Sequence, residues 1–375
     1  MTTTMTTVLE HSQEPLAQTL DKREQLLSKI RGQTIRIPDL KCVFADWKGI
    51  DNRHISPWTQ KLEHKVNERL RSLNFHGAKQ KRLEKSNFGA FTALWWPDAS
   101  LERLEILAYL VIWLFTWDDE IDEPTGTFSE NFNDAQAYRD QTLLFVQESL
   151  GLSTGKKTHI RSRNGIIQSF DVIGAALRAC YDENQKQRFC NEIAKFMKAS
   201  EIEQRWRLLG HIPTIEEYWA FRLGTSAVYI GSAAGEYSMG AHLPLEVMNS
   251  AAMRAIWDET NIIISITNDL LSLKKEIRLG CIDSIVPLTL ATTNDLHEAI
   301  KLSVAALEAS KQRFDAAATD LLSVVSQAKD MHEQVRQFIQ VQRSNCVGNL
   351  VWSLETQRYD VSGHANEDGI LNFTL

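Results

Sequence analysis

From Cys42 to about Tyr359, apolar residues recur at i, i+3, i+4 and i+7 over long stretches interrupted by Pro, Gly or Asn/Asp clusters. Alternating β patterns are nearly absent, so the expected fold class is all-α. With no Pro/Gly/Ser-rich linker and no repeat period, residues 39–360 read as a single large helical bundle enclosing a deep apolar pocket. Residues 1–38, rich in Thr, Gln, Glu and Lys with scattered leucines, read as a mobile N-terminal arm with one short helix, and 361–375 as a C-terminal tail. Four helices carry the argument. Ser100 is placed to cap a helix that runs through LERLEILAYLVIWLFTW into DDEID and is closed by Pro124. Its body is apolar on every side, which makes it central. The pattern predicts further helices over about 215–230, from Ser250 to a stop at Gly280, and over about 331–359.

Composition narrows the classes. The 375 residues are 43% apolar and 24% charged with 18 Gly and 8 Pro, which excludes disordered and collagen-like chains. Basic residues number 41 against 48 acidic, a net charge of -7. That sign does not suit nucleic acid or an anionic membrane face, so any anionic ligand must be captured locally. Five scattered cysteines, Cys42, Cys180, Cys190, Cys281 and Cys346, form no CxxC pair and join no His cluster. Neither a disulfide framework nor a zinc site is expected, and a reducing cytosol fits. The first Lys or Arg is Lys22 and no apolar run follows Met1, so no secretory signal is expected and the chain reads as cytoplasmic. The longest uncharged apolar run, residues 106–117, falls short of the roughly 20 residues needed to span a bilayer.

Directly after that run come Asp118, Asp119, Glu120, Asp122 and Glu123, with no Lys, Arg or His between Arg103 and Arg139. Two carboxylates about 6 Å apart at an effective dielectric of about 20 repel by roughly 2–3 kcal/mol, and the helix macrodipole disfavours anions at a C-terminus. Something cationic has to be brought in. Asp118 and Asp122 share one helical face and can converge on a hard cation such as Mg²⁺ that bridges to substrate phosphates; Asp119 is turned about 100° away and supports them from behind. A solvated acidic helix end is the plainer alternative.

In NDLLSLKKE, Asn268, Ser272 and Glu276 stand at i, i+4 and i+8, which a helix sets along one stripe drifting about 80°. Amide oxygen, hydroxyl and carboxylate are oxygen ligands suited to Mg²⁺. Lys275 returns to nearly the face of Asn268 and supplies a cation beside them. Arg222 interrupts the apolar, small-residue stretch YWAFRLGTSAVY, so its guanidinium needs an anionic partner, for which phosphate suits its planar fork and a buried Glu is the alternative. Arg358 and Tyr359, at the end of the last helix, add a second fork and a phenolic donor.

DDEID at 118–122, NDLLSLKKE at 268–276 and RY at 358–359, in this order, make residues 40 to 360 resemble a class I terpene cyclase, similar to the fungal sesquiterpene synthases. The resemblance implies that Asp118 binds two Mg²⁺ and the Asn268/Ser272/Glu276 triad a third, with Asp122 as a further ligand and Asp119 behind them. It also implies that Arg222, 46 residues before Asn268, senses the diphosphate, with Lys275, Arg358 and Tyr359 as the other diphosphate donors. Thr225 and Ser226 fall at the trigger positions of a kinked helix, where many relatives have Gly in place of Ser226. Phe115 and Trp352 match aromatic pocket positions, and Cys346 stands where several relatives carry another aromatic.

The chemistry agrees with these residue types. Ionising an allylic diphosphate leaves an anion to be held at the pocket mouth and a carbocation to be shielded from water. Phe88, Phe91, Trp95, Trp96, Phe115 and Trp352 can line that shield, each desolvated ring face contributing ~1–2 kcal/mol of cation–π attraction. The expected function is Mg²⁺-dependent cyclisation of farnesyl diphosphate to a sesquiterpene hydrocarbon or alcohol. The alternatives are a chain-elongating prenyltransferase, against which the Asn/Ser/Glu stripe argues, and a non-catalytic isoprenoid-binding helical protein. The partner expected is a prenyl diphosphate, with no nucleic acid and no membrane span, and the oligomeric state stays open between monomer and homodimer.

Overall fold

The computed structural model describes residues 16–50, 54–73, 75–152 and 162–375. Among them are seventeen α-helices and one two-stranded antiparallel sheet. The central helix, Leu101–Asp122, starts where Ser100 accepts from the Arg103 amide at 3.4 Å and ends where Glu123 turns extended ahead of Pro124. Leu104, Leu107, Val111, Ile112 and Trp113 are all buried, as a helix apolar all round requires.

Two long helices complete the frame around it. Ala251–Leu279 starts at its cap Ser250, stops at Gly280 with φ 81°, and packs along Leu296–Val324 and Lys329–Glu355. Lys329–Glu355 in turn lies on Phe88–Trp95, and Gly348 is what lets the two backbones close. A Cβ at Gly348 would sit 2.7 Å from the Leu94 carbonyl, and Asn345 donates to the Trp95 carbonyl at 2.8 Å across the same contact. The buried apolar residues form one contiguous cluster running from Leu26 to Phe373.

Three expectations are corrected. The helix expected over 215–230 is two helices, Ile215–Thr225 and Val228–Ala233, parted at Ala227, whose φ of 58° is left-handed. The last helix ends at Glu355, because Thr356 turns extended and its hydroxyl donates to the Ser86 carbonyl at 3.2 Å; Arg358 and Tyr359 lie in the turn beyond it. The described parts of the two terminal segments are packed rather than loose. Helix Leu16–Ile30 buries Leu26, Leu27 and Ile30, and strand Thr34–Ile37 pairs antiparallel with Leu371–Thr374, burying Ile35, Ile37, Leu371 and Phe373. Strands of four residues are too short to announce themselves by alternation, and their partners lie some 340 positions apart. Residues 1–15 of the expected arm lie outside the described residues.

Seating the C-terminal segment has a measurable consequence. Phe373→Ala is expected to cost about 3 kcal/mol of stability, the size usual for removing a buried ring. Thermal unfolding would show it, whereas a loose tail would leave the melting temperature unchanged. No helix among the described residues is long and apolar enough to cross a membrane, and none of the five cysteines is in a disulfide.

Candidate active site

A cavity of about 270 Å³ opens between the central helix, Glu183–Leu208, the broken helix, Ala251–Leu279 and the end of Lys329–Glu355. Three elements line it in the same sense, each with its charged groups at or just beyond its C-terminal end. The central helix passes from Val111 and Phe115 to Asp118, Asp119 and Asp122; Ala251–Leu279 from Ile264 to Asn268, Ser272, Lys275 and Glu276; and the last helix from Trp352 to Arg358 and Tyr359 just beyond it. Arg222, Thr225 and Ser226 line the cavity from the broken helix.

Phe91, Trp95, Trp96, Phe115 and Trp352 make its aromatic wall. Phe91 stacks on Trp95 with centroids 4.6 Å apart and meets Trp352 edge-on at 5.0 Å. Two pocket expectations are corrected here. Phe88 is fully buried behind the Phe115 ring, 5.0 Å away, and does not reach the cavity. Cys346 is buried with its thiol toward the Thr260 carbonyl; six residues before Trp352, it is turned about 120° from it around the helix, away from the cavity.

The cations missing from the local sequence come from elsewhere. Arg82 meets Glu123 at 2.6 Å, Lys79 meets Glu120, and Arg358 donates to Asp119 Oδ1 at 2.8 Å with both side chains almost fully buried. Lys275 lies 3.4 Å from Glu123. The carbonyl of Ile121, in the last turn of the helix, accepts from Arg207 at 2.8 Å. Among the described residues, Asp118 and Asp122 have no ion-pair partner. Burial, reinforced by Asp122 and Glu203, raises Asp118; burial also raises Asp122, against the opposing pull of Arg207 and Arg139. At Asp119, burial is overcome by Arg358, which leaves the carboxyl lower than usual.

On the facing helix the triad oxygens point into the same space. Arg222 Nη2 donates to Asn268 Oδ1 and to Asp269 Oδ1, both at 2.8 Å; Asn268 Nδ2 donates to the Tyr359 hydroxyl at 2.7 Å; Ser272 donates to Glu276 at 2.5 Å. Burial, and then the nearby Asp269, raises Glu276. Burial works against the charge on Arg222, but Asp269, Tyr218, Glu203 and Glu276 together outweigh it and its pKa is raised, so the guanidinium stays charged.

The donor set fits a divalent cation beside a polyanion. Asp122 Oδ1, Arg222 Nε and Arg358 Nη1 are all buried without a hydrogen-bond partner among the described residues. An unsatisfied carboxylate oxygen and unsatisfied guanidinium protons around one cavity are the complement of a metal ion and a phosphate group. Among the described residues no three His, Cys, Asp or Glu side chains gather into a ready-made cage. Mg²⁺ rarely needs one, because it keeps waters and shares substrate oxygens.

Sequence reasoning missed Glu203 and Arg207, which line the cavity from a stretch, SEIEQRWRLL, that reads as a solvated face. It also passed over Asp269. This residue is fully buried and accepts from Tyr218 at 2.5 Å, the Ile285 amide at 2.8 Å and Arg222, so it aims the arginine. Tyr218 lies one helical turn before Arg222, the one available hint.

The family model for terpene synthase family 2, C-terminal metal binding, matches residues 109–313. The sesquiterpene cyclase hepA of Aspergillus oryzae is 32% identical over 347 residues, 91% of this chain and 93% of that protein. The chain belongs to the class I terpene synthases. The silphinene synthase peniA of Penicillium patulum is 25% identical to this synthase over 88% of it and 87% of the relative. Among solved structures, the germacradien-4-ol synthase of Streptomyces citricolor superposes with a TM-score of 0.68 over 81% of the synthase and 96% of that chain, at 18% identity. The linalool/nerolidol synthase of Streptomyces clavuligerus gives 0.69 over 82% and 97%, at 16% identity. These likenesses show the all-α terpene synthase fold. By its family the synthase uses a divalent metal and takes a prenyl diphosphate. The matched region holds both acidic helix ends but stops short of Arg358 and Tyr359.

Proposed function

We propose that the synthase ionises farnesyl diphosphate with Mg²⁺ and closes the resulting cation to a sesquiterpene hydrocarbon or alcohol, releasing diphosphate. The observation that carries this reading is one cavity with unsatisfied carboxylate and guanidinium groups at one end and a continuous aromatic wall at the other. The relatives named as sesquiterpene cyclases favour a fifteen-carbon substrate.

Asp118 and Asp122 on one helix, and Asn268, Ser272 and Glu276 on the other, would hold the metal ions, three by the family resemblance. Bound Mg²⁺ supplies positive charge to the departing diphosphate. Arg222, Lys275 and Arg358 donate to its oxygens as the carbon–oxygen bond breaks, and Tyr359 adds a hydroxyl. Phe91, Phe115 and Trp352 exclude water and face the cation, each ring contributing ~1–2 kcal/mol. The released diphosphate, held by these cations, is the base for the final proton.

The test is incubation with Mg²⁺ and geranyl, farnesyl or geranylgeranyl diphosphate, followed by mass spectrometry of the volatiles. A cyclic fifteen-carbon product from farnesyl diphosphate is expected. Release of the linear alcohol alone, or of a longer diphosphate, would overturn the proposal.

A further inference from the structure

The break between Thr225 and Val228 is held open by a side chain outside every motif. In an unbroken helix the Leu223 carbonyl would accept from the Ala227 amide; here that amide turns to the Gly224 carbonyl at 3.3 Å, and Ala227 takes a left-handed φ of 58° without being glycine. The freed Leu223 carbonyl accepts from Asn261 Nδ2 at 2.7 Å. Asn261 Oδ1 in turn accepts from the hydroxyls of Ser226 at 2.7 Å and Ser265 at 3.2 Å, and Ser226 Oγ accepts from the Val228 amide at 3.3 Å. Asn261 is fully buried and does not line the cavity, yet the four residues 225–228 that it braces do.

Close packing fixes both flanks of the break. A Cβ at Gly224 would lie 2.3 Å from the Ala199 side chain, and one at Gly231 would lie 2.9 Å from the Trp95 ring. Asn261 and Asn268 are seven residues apart on one helix, hence on nearly the same face. That face grips the broken helix twice, at its break through Asn261 and at Arg222 through Asn268 and Asp269.

We infer that Asn261 is a positioning residue that fixes the 225–228 backbone within the cavity and so governs the course of ring closure after ionisation. The inference rests on the cyclase reading above and specifies where product choice is set. Ionisation depends on the metal- and diphosphate-holding groups at the polar end of the cavity, none of which Asn261 touches, although it does hold the trigger-position Ser226; cyclisation depends on the contour of a wall that Asn261 holds.

The experiment measures diphosphate release, product distribution and melting temperature for the parent, Asn261→Asp and Ala227→Gly. Asn261→Asp keeps an acceptor for Ser226 but cannot donate to the Leu223 carbonyl. It is expected to retain diphosphate release within tenfold while the parent's main product falls by at least half, in favour of products quenched earlier. Ala227→Gly removes one cavity-lining methyl and loosens the break, and is expected to broaden the product mixture per diphosphate released. Should Asn261→Asp not fold, Ala227→Gly alone decides. Unchanged product ratios in the folded variants, with only a lower melting temperature, would overturn the inference and leave Asn261 a structural cap. A parent that makes no cyclic product from farnesyl diphosphate overturns the substrate reading instead, and the brace is then read on whichever prenyl diphosphate the parent cyclises.

Discussion

Asn268→Leu is expected to lower kcat by about 10²-fold or more, roughly 2.7 kcal/mol of transition-state stabilisation. Asn268 has two roles in one amide. Its oxygen is the first of the three triad ligands, and the same group joins Arg222 at 2.8 Å to Tyr359 at 2.7 Å. Leucine fills the volume but removes both. Arg222 then keeps only Asp269, and the Tyr359 hydroxyl, almost fully buried, loses its partner, which alone costs about 1–3 kcal/mol. Two milder variants separate the roles. Tyr359→Phe removes only the bridging hydroxyl and is expected to cost less than tenfold. Asn268→Asp keeps an oxygen ligand while losing the donor, and is expected to stay well above the leucine variant, with a shifted Mg²⁺ dependence. Steady-state kinetics across a Mg²⁺ titration checks all three. Turnover of Asn268→Leu within about threefold of the parent would remove the metal role assigned to the triad.

What made Asn268 legible was spacing: three oxygen-bearing residues four apart on an otherwise deeply apolar helix leave few physical uses. The central helix was legible for a related reason, since five carboxylates directly after a buried apolar run weaken the plainer reading of a solvated acidic helix end. The sequence exposed a charge deficit there but not its remedy, because Arg82, Lys79 and Arg358 arrive from helices and turns distant in the chain. Arg222 stood out as a lone cation in an apolar segment, whereas the break one turn later was implied by the family resemblance and not by the residues themselves. Ser226 and Ala227 are compatible with helix, and the left-handed turn depends on a hydrogen bond from Asn261, thirty-odd residues away. Phe88, named for its ring, and Cys346, named for its family position, show the converse limit: type and position single out a residue, but helical phase decides whether it reaches the cavity. The paired strands at the chain ends were invisible because each is four residues long and stable only with the other.

Arg358→Met is expected to abolish turnover and also to destabilise the fold by about 3–5 kcal/mol, the cost of stranding one partner of a buried ion pair. The arginine side chain is 7% exposed and that of Asp119 3%, and the same guanidinium lies 3.9 Å from Glu123 and over the Phe115 ring. Methionine keeps much of the packing against Phe115 and removes the charge, so the loss reports electrostatics. Its pH dependence follows from the sign of the Asp119 shift. Arg358 holds that carboxyl below its usual range, so the pair stabilises the fold above the unfolded-state value and ceases to do so as pH falls through the folded one. The gap in stability between parent and Arg358→Met is therefore widest near neutrality and narrows in acid. Asp119→Asn added to Arg358→Met removes the stranded charge and is expected to recover most of the melting temperature but none of the activity, because Arg358 Nη1, buried and without a partner, is the donor that the diphosphate would take. Chemical unfolding at neutral and acid pH, beside a diphosphate-release assay, reads both halves. A double variant no more stable than the single one would show that the pair is not what holds the acidic helix end in place, and recovery of activity with stability would show that Arg358 acts only as a counter-ion to Asp119.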